Sequence, residues 1–393
     1  MSWRDAFGLR ARLIDTVFPG ETDLDRLFAA KRPLRVKYGL DITSASVTIG
    51  NDIGLRVLGR FQELGHTAVV ILGDFTTLVG DPSGRDKTRP TLTKDDVAEN
   101  ERTWLGQIGN VIDVERAEVR HNSEWLDGMR LSDVIKLAGR LTVAQMLERD
   151  SFAKRYAEGS PIHLHEFLYC LLQGYDSVAV KADVELGGND QIFNLNIGRS
   201  LQKSAGEPPQ VCVTWPLIEG VDGNKKMSKS LGNAISLDTP PRDMFGLATR
   251  VPDDLVGKYL RLATGLPDER IDELMARDVW EAKKTMAAAL VALHHGEQSG
   301  RDERAEFERV FKEKQTPTDL RAHRVVTGPQ TLLALVRSAF DLSGGDARRR
   351  IQQGGVSLDG QKIRDPGQEI VVEREIVLKA GKTLYVKLLP QKK

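Results

Sequence analysis

Cysteine is nearly absent. The 393 residues hold only Cys170 and Cys212, both inside apolar runs and neither in a metal-ligand spacing. A disulfide framework and a thiolate metal centre are thereby excluded, and the usage fits a cytoplasmic, reducing setting. Net charge is absent too: Lys+Arg and Asp+Glu are both 56. Any contact with nucleic acid must therefore come from locally clustered charge. No apolar run approaches the roughly 20 residues that span a bilayer. The start, Met1-Ser2-Trp3-Arg4-Asp5, lacks a signal-peptide core. The expectation is a protein with no membrane association. Of the seven histidines none has convincing ligand spacing, and His163 and His165 read as structural. No repeat or low-complexity tract occurs.

What is present reads as an α/β chain. Residues 34–41 (LRVKYGLD) form a strand ending at an acid, residues 51–64 a helix with Ile53, Val57, Leu58, Phe61 and Leu64 on one face, and residues 68–74 a continuous apolar strand. Strand, helix and strand make a βαβ unit. Residues 178–186 read as a further strand. The pattern predicts a doubly wound, Rossmann-like parallel-sheet domain over 1–235, with its ligand site at the carboxyl ends of the strands. From about Asp238 the chain reads as helices, a second domain over 236–320. After a linker past Pro317, a small α+β module occupies 329–393 with 12 Lys+Arg against 7 Asp+Glu, a charge of +5. Arg348, Arg349 and Arg350 stand together on its second helix.

The most informative stretch is residues 225–230, KKMSKS, followed by LGN. A lone Lys-x-x-Lys is usually a solvated loop. Here Lys226 and Lys229 flank Met-Ser among small, loop-forming residues, and two mobile ammonium groups suit the departing phosphates of a nucleotide.

Together the motifs resemble bacterial tyrosyl-tRNA synthetases, which are class I aminoacyl-tRNA synthetases, over nearly the full length. The matching blocks are residues 73–76 (GDFT), 80–85 (GDPSGR), 169–176 (YCLLQGYD), 187–191 (GGNDQ), the lysine loop, and residues 343–360 in the tail. The tail resembles an RNA-binding module shared with a ribosomal protein. The resemblance implies activation of L-tyrosine by ATP, with Mg²⁺, and transfer to tRNA(Tyr) by a homodimer. It implies Asp176 at the base of an apolar pocket as acceptor for the phenol hydroxyl; phenylalanine would leave that carboxylate unpaired. Tyr169 and Gln173, four apart on one helix face, would hold the α-ammonium with Thr76 and Asp81. Gln191 would meet the substrate carboxylate, Asp190 the ribose, and Gly39 and Asp41 the nucleotide. Lys226 and Lys229 would hold the β- and γ-phosphates, with Arg85 and Arg89 on a second loop. Arg348, Arg349 and Arg350 would contact RNA.

The chain departs from the family in one place. The first class I signature, His-hydrophobe-Gly-His, is replaced by Thr48-Ile49-Gly50-Asn51, and Ile42 replaces a proline. Gly50 keeps bare backbone for the nucleotide, and the helix N-terminus keeps its N–H groups. Asn51 can present an amide N–H, Thr48 only a hydroxyl, with Thr43 matching a family threonine. Losing one transition-state donor costs about 3 kcal/mol. Two further readings therefore stay open: a paralogue that activates tyrosine or an analogue for another acceptor, and a non-catalytic RNA-binding protein. A second phenol contact falls at Lys37 or Tyr38, undecided from sequence.

Overall fold

The computed structural model describes residues 2–82, 92–311, 320–326, 328–381 and 384–391. It divides into two compact units, Met1–Glu303 and Arg304–Lys393. The centre of the first is a six-stranded sheet built from β1 (Thr16–Phe18), β2 (Arg35–Leu40), β3 (Thr67–Leu72), β4 (Glu118–His121), β5 (Val184–Gly188) and β6 (Val211–Trp215), in the order β1-β6-β5-β2-β3-β4. All pairs are parallel except β1 with β6. The strand order reverses on either side of β2, so the crevice beyond the ends of β2 and β5 is where such a sheet binds ligands. β3, β5 and β6 are buried on both faces, which is why they read as unbroken apolar runs.

Two helices frame that crevice. The entry helix, Ile49–Glu63, leaves β2 and lies on the sheet with Ile53, Val57, Leu58 and Phe61 fully buried. Its Gly54 is a close approach: a Cβ there would lie 2.4 Å from the Trp215 ring and 2.7 Å from that of Tyr38. The pocket helix, Leu164–Ala179, packs against the helix Ile192–Ser204. Gly174 and Gly198 set that contact, since a Cβ on Gly174 would come 3.1 Å from the Gly198 backbone N.

One element differs from the sequence reading. Val178 and Ala179 belong to the pocket helix, and the strand begins only at Val184. Lys181, in the left-handed region at φ 52°, breaks the chain direction between them. A short apolar run is ambiguous between helix and strand, and the helix wins because Val178 continues its apolar face.

The helices Pro241–Ala248, Val256–Ala263, Asp268–Arg277 and Val279–His295 pack within the same first unit. Arg56 of the entry helix donates to the carbonyls of Leu262 and Thr264. The second unit is a five-stranded sheet with helices Leu332–Phe340 and Gly344–Gln352 around one apolar core. Its edge strand Ala322–Val326 pairs in parallel with Leu384–Gln391, where the sequence reads as linker. Backbone pairing at an edge needs little apolar patterning, and this strand buries only Val325.

Candidate active site

The carboxyl end of β2 delivers Asp41 into a half-buried position. It accepts hydrogen bonds from Thr76 Oγ1 at 2.8 Å and from the Tyr169 hydroxyl at 2.9 Å. Burial, then the nearby Asp81, raises the Asp41 carboxyl to about 7. Gly73 makes this arrangement possible, because a Cβ there would lie 2.4 Å from both Asp41 Oδ1 and Thr76 Oγ1. Burial, then Asp41, raises the Tyr169 phenol well above its usual range, so it stays protonated. Its proton points at Asp41, leaving the phenol oxygen as an acceptor.

A hydrogen-bonded chain leads from there to Asp176. Asn122 Nδ2 donates to Thr76 Oγ1 at 2.9 Å and to Asp176 Oδ2 at 3.4 Å. Trp125 Nε1 donates to Asp176 Oδ1 at 2.9 Å. The segment carrying Asn122 and Trp125 is held in turn by Asp74, which accepts from Ser123 N at 3.0 Å and Ser123 Oγ at 2.5 Å. Asp176 is 3% exposed. Burial raises its carboxyl to about 7, against the lowering pull of Lys37 and of the Trp125 and Asn122 hydrogen bonds.

Lys37 and Tyr38 point to opposite faces of β2, as alternation requires. Tyr38 goes toward the entry helix, edge-on to Trp215, with its hydroxyl 3.5 Å from the Asn51 carbonyl. Lys37 goes toward the pocket helix and is fully buried. Its Nζ lies 2.7 Å from Glu185 Oε1 and donates to Ser177 Oγ at 2.9 Å and the Gln173 carbonyl at 3.1 Å. An ammonium has three N–H groups, and these three acceptors occupy them.

The remaining polar wall runs through Gln191. Its Nε2 donates to Asp81 Oδ2 at 3.0 Å, and its Oε1 accepts from Gln173 Nε2 at 3.4 Å and Asn194 Nδ2 at 2.9 Å. Arg149, 6% exposed, stands 3.6 Å from Asp81 Oδ1. Asp81 thus has a buried cation beside it, whereas among the described residues the side chains donating to Asp41 are neutral.

On the nucleotide side, Gly39 faces open space, with nothing within 4 Å of a Cβ built there. Thr43 is exposed, its N–H donating to the Asp41 carbonyl at 2.9 Å. Thr48 and Asn51 engage each other: Asn51 Oδ1 accepts from Thr48 Oγ1 at 2.8 Å and from Thr48 N at 3.2 Å, capping the entry helix. The Thr48 proton is spent, and Nδ2 is the remaining donor of the Asn51 amide. Gly50, beside them, has room for ordinary contacts. Ile49 N donates to the Ile235 carbonyl at 3.0 Å and Leu237 N to the Val47 carbonyl at 2.9 Å, which ties the start of this helix to the exit of the lysine loop. Asn233 staples that loop, accepting from Ser228 N at 2.8 Å and donating to Asp222 at 3.1 Å. Lys226 lies 2.6 Å from Asp190. Burial lowers Lys229, opposed by Asp238.

The structure therefore brings Asp41, Thr76, Asp81, Tyr169, Gln173, Asp176 and Gln191 into one pocket, and Asp190 to Lys226. Arg85 and Arg89 lie outside the described residues. Arg348 and Arg349 are exposed and Arg350 half-buried on Gly344–Gln352 in the second unit. Sequence reasoning missed Asn122, Trp125 and Arg149. Asn122 directly follows a strand, the usual place for a ligand-facing residue in this fold, but β4 is too short and polar to have been read as one.

The family model of class I tRNA synthetases (W and Y) matches residues 29–312. The chain is 43% identical to the tyrosine–tRNA ligase of Thermotoga maritima over 97% of this chain and 96% of that protein. It is 44% identical to that of Oleidesulfovibrio alaskensis, over 95% and 96%. Among solved structures, a truncated mitochondrial tyrosyl-tRNA synthetase of Coccidioides posadasii superposes with a TM-score of 0.61 at 25% identity, covering 78% of this chain and 91% of that one. The polar pocket at the sheet switch point, the lysine loop beside it and these full-length similarities agree, and the chain belongs to the tyrosine–tRNA ligase family of class I tRNA synthetases.

Proposed function

We propose that the protein activates L-tyrosine with ATP and transfers it to the 3′ end of tRNA(Tyr). The observation that carries this reading is the buried Asp176, whose two oxygens are aligned by Trp125 and Asn122. A phenol hydroxyl entering the pocket donates to that carboxylate, a charge-assisted bond that phenylalanine cannot make. The Tyr169 oxygen, Gln173 and Asp81 accept the α-ammonium, while Thr76 fixes Asp41 and Asn122. Gln191 orients the substrate carboxylate.

A carboxylate oxygen of tyrosine attacks the α-phosphorus of ATP, the bond to the pyrophosphate oxygen breaks, and tyrosyl-adenylate forms. Gly39, Asp41 and Gly50 border the nucleotide. Asp190 meets the ribose, which releases Lys226 to join Lys229 on the β- and γ-phosphates. That release costs little, since an exposed ion pair is worth about 1 kcal/mol or less. Thr43 and the Asn51 amide supply donors near the pyrophosphate in place of imidazoles, and Arg85 and Arg89 add charge. Mg²⁺ arrives with ATP, held by phosphate oxygens and water. A terminal ribose hydroxyl of tRNA then attacks the tyrosyl carbonyl and displaces AMP.

The organisation proposed is catalytic (1–235), helical (236–320) and RNA-binding (329–393), with Arg348, Arg349 and Arg350 on the tRNA backbone. A cytoplasmic homodimer is proposed as well. Leu131, Ile135, Val143 and Tyr156, on successive helices before the pocket helix, are all more than 60% exposed, an unusual exposure of large apolar side chains that a second copy would cover. The test is tyrosine-dependent ATP–pyrophosphate exchange and charging of tRNA(Tyr). Absence of exchange refutes the reading; exchange without charging moves the acceptor elsewhere.

A further inference from the structure

We propose that Lys37, paired with Glu185 beneath the pocket, is a positioning residue that sets selection for a phenol without touching the substrate. The proposal deepens the tyrosine reading and rests on it. Lys37 binds the pocket helix at two points one turn apart, the Gln173 carbonyl and the Ser177 hydroxyl. Asp176 sits within that turn. The clamp therefore fixes the spacing between Gln173, which faces the ammonium end of tyrosine, and Asp176, which faces the phenol end. Because its three protons are occupied, Lys37 cannot donate to a phenol. Its influence on Asp176 is through charge and through the helix turn.

The surroundings are built to keep this pair in place. Ser177 Oγ donates to Glu185 Oε2 at 3.0 Å, and Gln210 Nε2 donates to the same oxygen. A Cβ on Gly198 would come 2.8 Å from both Ser177 Oγ and Gln210 Nε2, so only glycine admits the network. Gln202 closes it, donating to the Ala182 carbonyl at 2.8 Å and accepting from Gln210 N at 2.8 Å. Burying an ion pair brings little net stability, so a role in setting the field around Asp176 accounts for the pair better than stability does. Among the described residues, the charged and titratable groups that act most on Asp176 are Lys37 from β2, Glu185 from β5 and Asp41 from the end of β2, with Asp81 acting on Asp41. Lys37 is the cation among them, and it favours the ionised carboxylate that a phenol needs. Glu185 opposes it.

The two charges should therefore have effects of opposite sign, which a packing role cannot produce. L-Tyrosine binding to the full chain is measured by calorimetry from about pH 6 to about pH 9, without ATP. Glu185→Gln leaves Lys37 unbalanced, so the pH above which tyrosine binds tightly should move down. Lys37→Met combined with Glu185→Gln removes the pair as a unit, and that pH should move up. A rise of one unit from about 7 lowers the ionised fraction at neutral pH about fivefold, and affinity there should fall about fivefold relative to that near pH 9. Tyrosine-over-phenylalanine preference in pyrophosphate exchange should drop with it, at unchanged KM for ATP. Shifts in the same direction, or a pH dependence of binding left unmoved in both variants, would overturn the proposal. Native protein that binds tyrosine without exchange refutes the proposed reaction but leaves this test valid; native protein that does not bind tyrosine overturns both.

Discussion

At pH 8, Asp176→Asn should make the protein more stable and less useful. The carboxyl is raised from 3.8 to about 7 by burial. A raised carboxyl pKa means that the folded state resists ionisation, so native stability falls as pH rises from the unfolded value to the folded one and is flat above it. The shift of about three units corresponds to about 4 kcal/mol. Of this, about 2 kcal/mol is incurred by pH 5 and the rest by pH 8. Asparagine does not titrate, so the stability gap between variant and native should widen by about 2–3 kcal/mol from pH 5 to pH 8. A pH-independent cost also arises, because the new amide sets an N–H against Asn122 Nδ2. That term, about 1–3 kcal/mol, cancels in the comparison between pH values. Asp41, raised to about 7 in the native protein, cancels to first order as well. Urea unfolding followed by tryptophan fluorescence is the assay, since all five tryptophans lie in Met1–Glu303. Loss of the charged acceptor should lower kcat/KM for tyrosine about 10–100-fold, corresponding to about 1.5–3 kcal/mol. A gap of equal size at pH 5 and pH 8 would refute the assignment of a dry, destabilised carboxylate.

Trp125→Phe removes the 2.9 Å donor to Asp176; tyrosine affinity should fall about tenfold at neutral pH, by the usual worth of a bond to a charged group, and unchanged affinity in calorimetry counts against the geometry. Lys229→Ala should slow adenylate formation about 10²-fold while leaving tyrosine binding nearly intact, so parallel losses in stopped-flow and binding measurements would remove Lys229 from the phosphates. Gly73→Ala forces a Cβ to within 2.4 Å of Asp41 and Thr76; a loss of about 1–3 kcal/mol in urea unfolding is expected, together with weaker tyrosine binding, and a neutral substitution would show that the Asp41–Thr76 bond is dispensable.

Much of this molecule was written in local pattern. Residues 34–41, 51–64 and 68–74 read as strand, helix and strand because apolar periodicity and chain breakers act over a few residues, and the structure realises them as β2, the entry helix and β3 with boundaries shifted by one or two positions. Tyr169 and Gln173 fall on one helix because their spacing is helical, and the two lysines share a loop because glycine and asparagine surround them. What the sequence could not carry was every relation that crosses the sheet. Trp125 and Asn122 reach Asp176 from more than fifty positions away in the chain. Lys37 and Tyr38 are neighbours that only the direction of the pleat separates, one into the ion pair under the pocket and the other against Trp215. Thr48 and Asn51 read as two lost imidazoles, yet in the fold they cap one helix together. Burial and electric field depend on distance through space, and only the packed chain determines which carboxylate is left dry, which cation stands beside it and which proton is already spent.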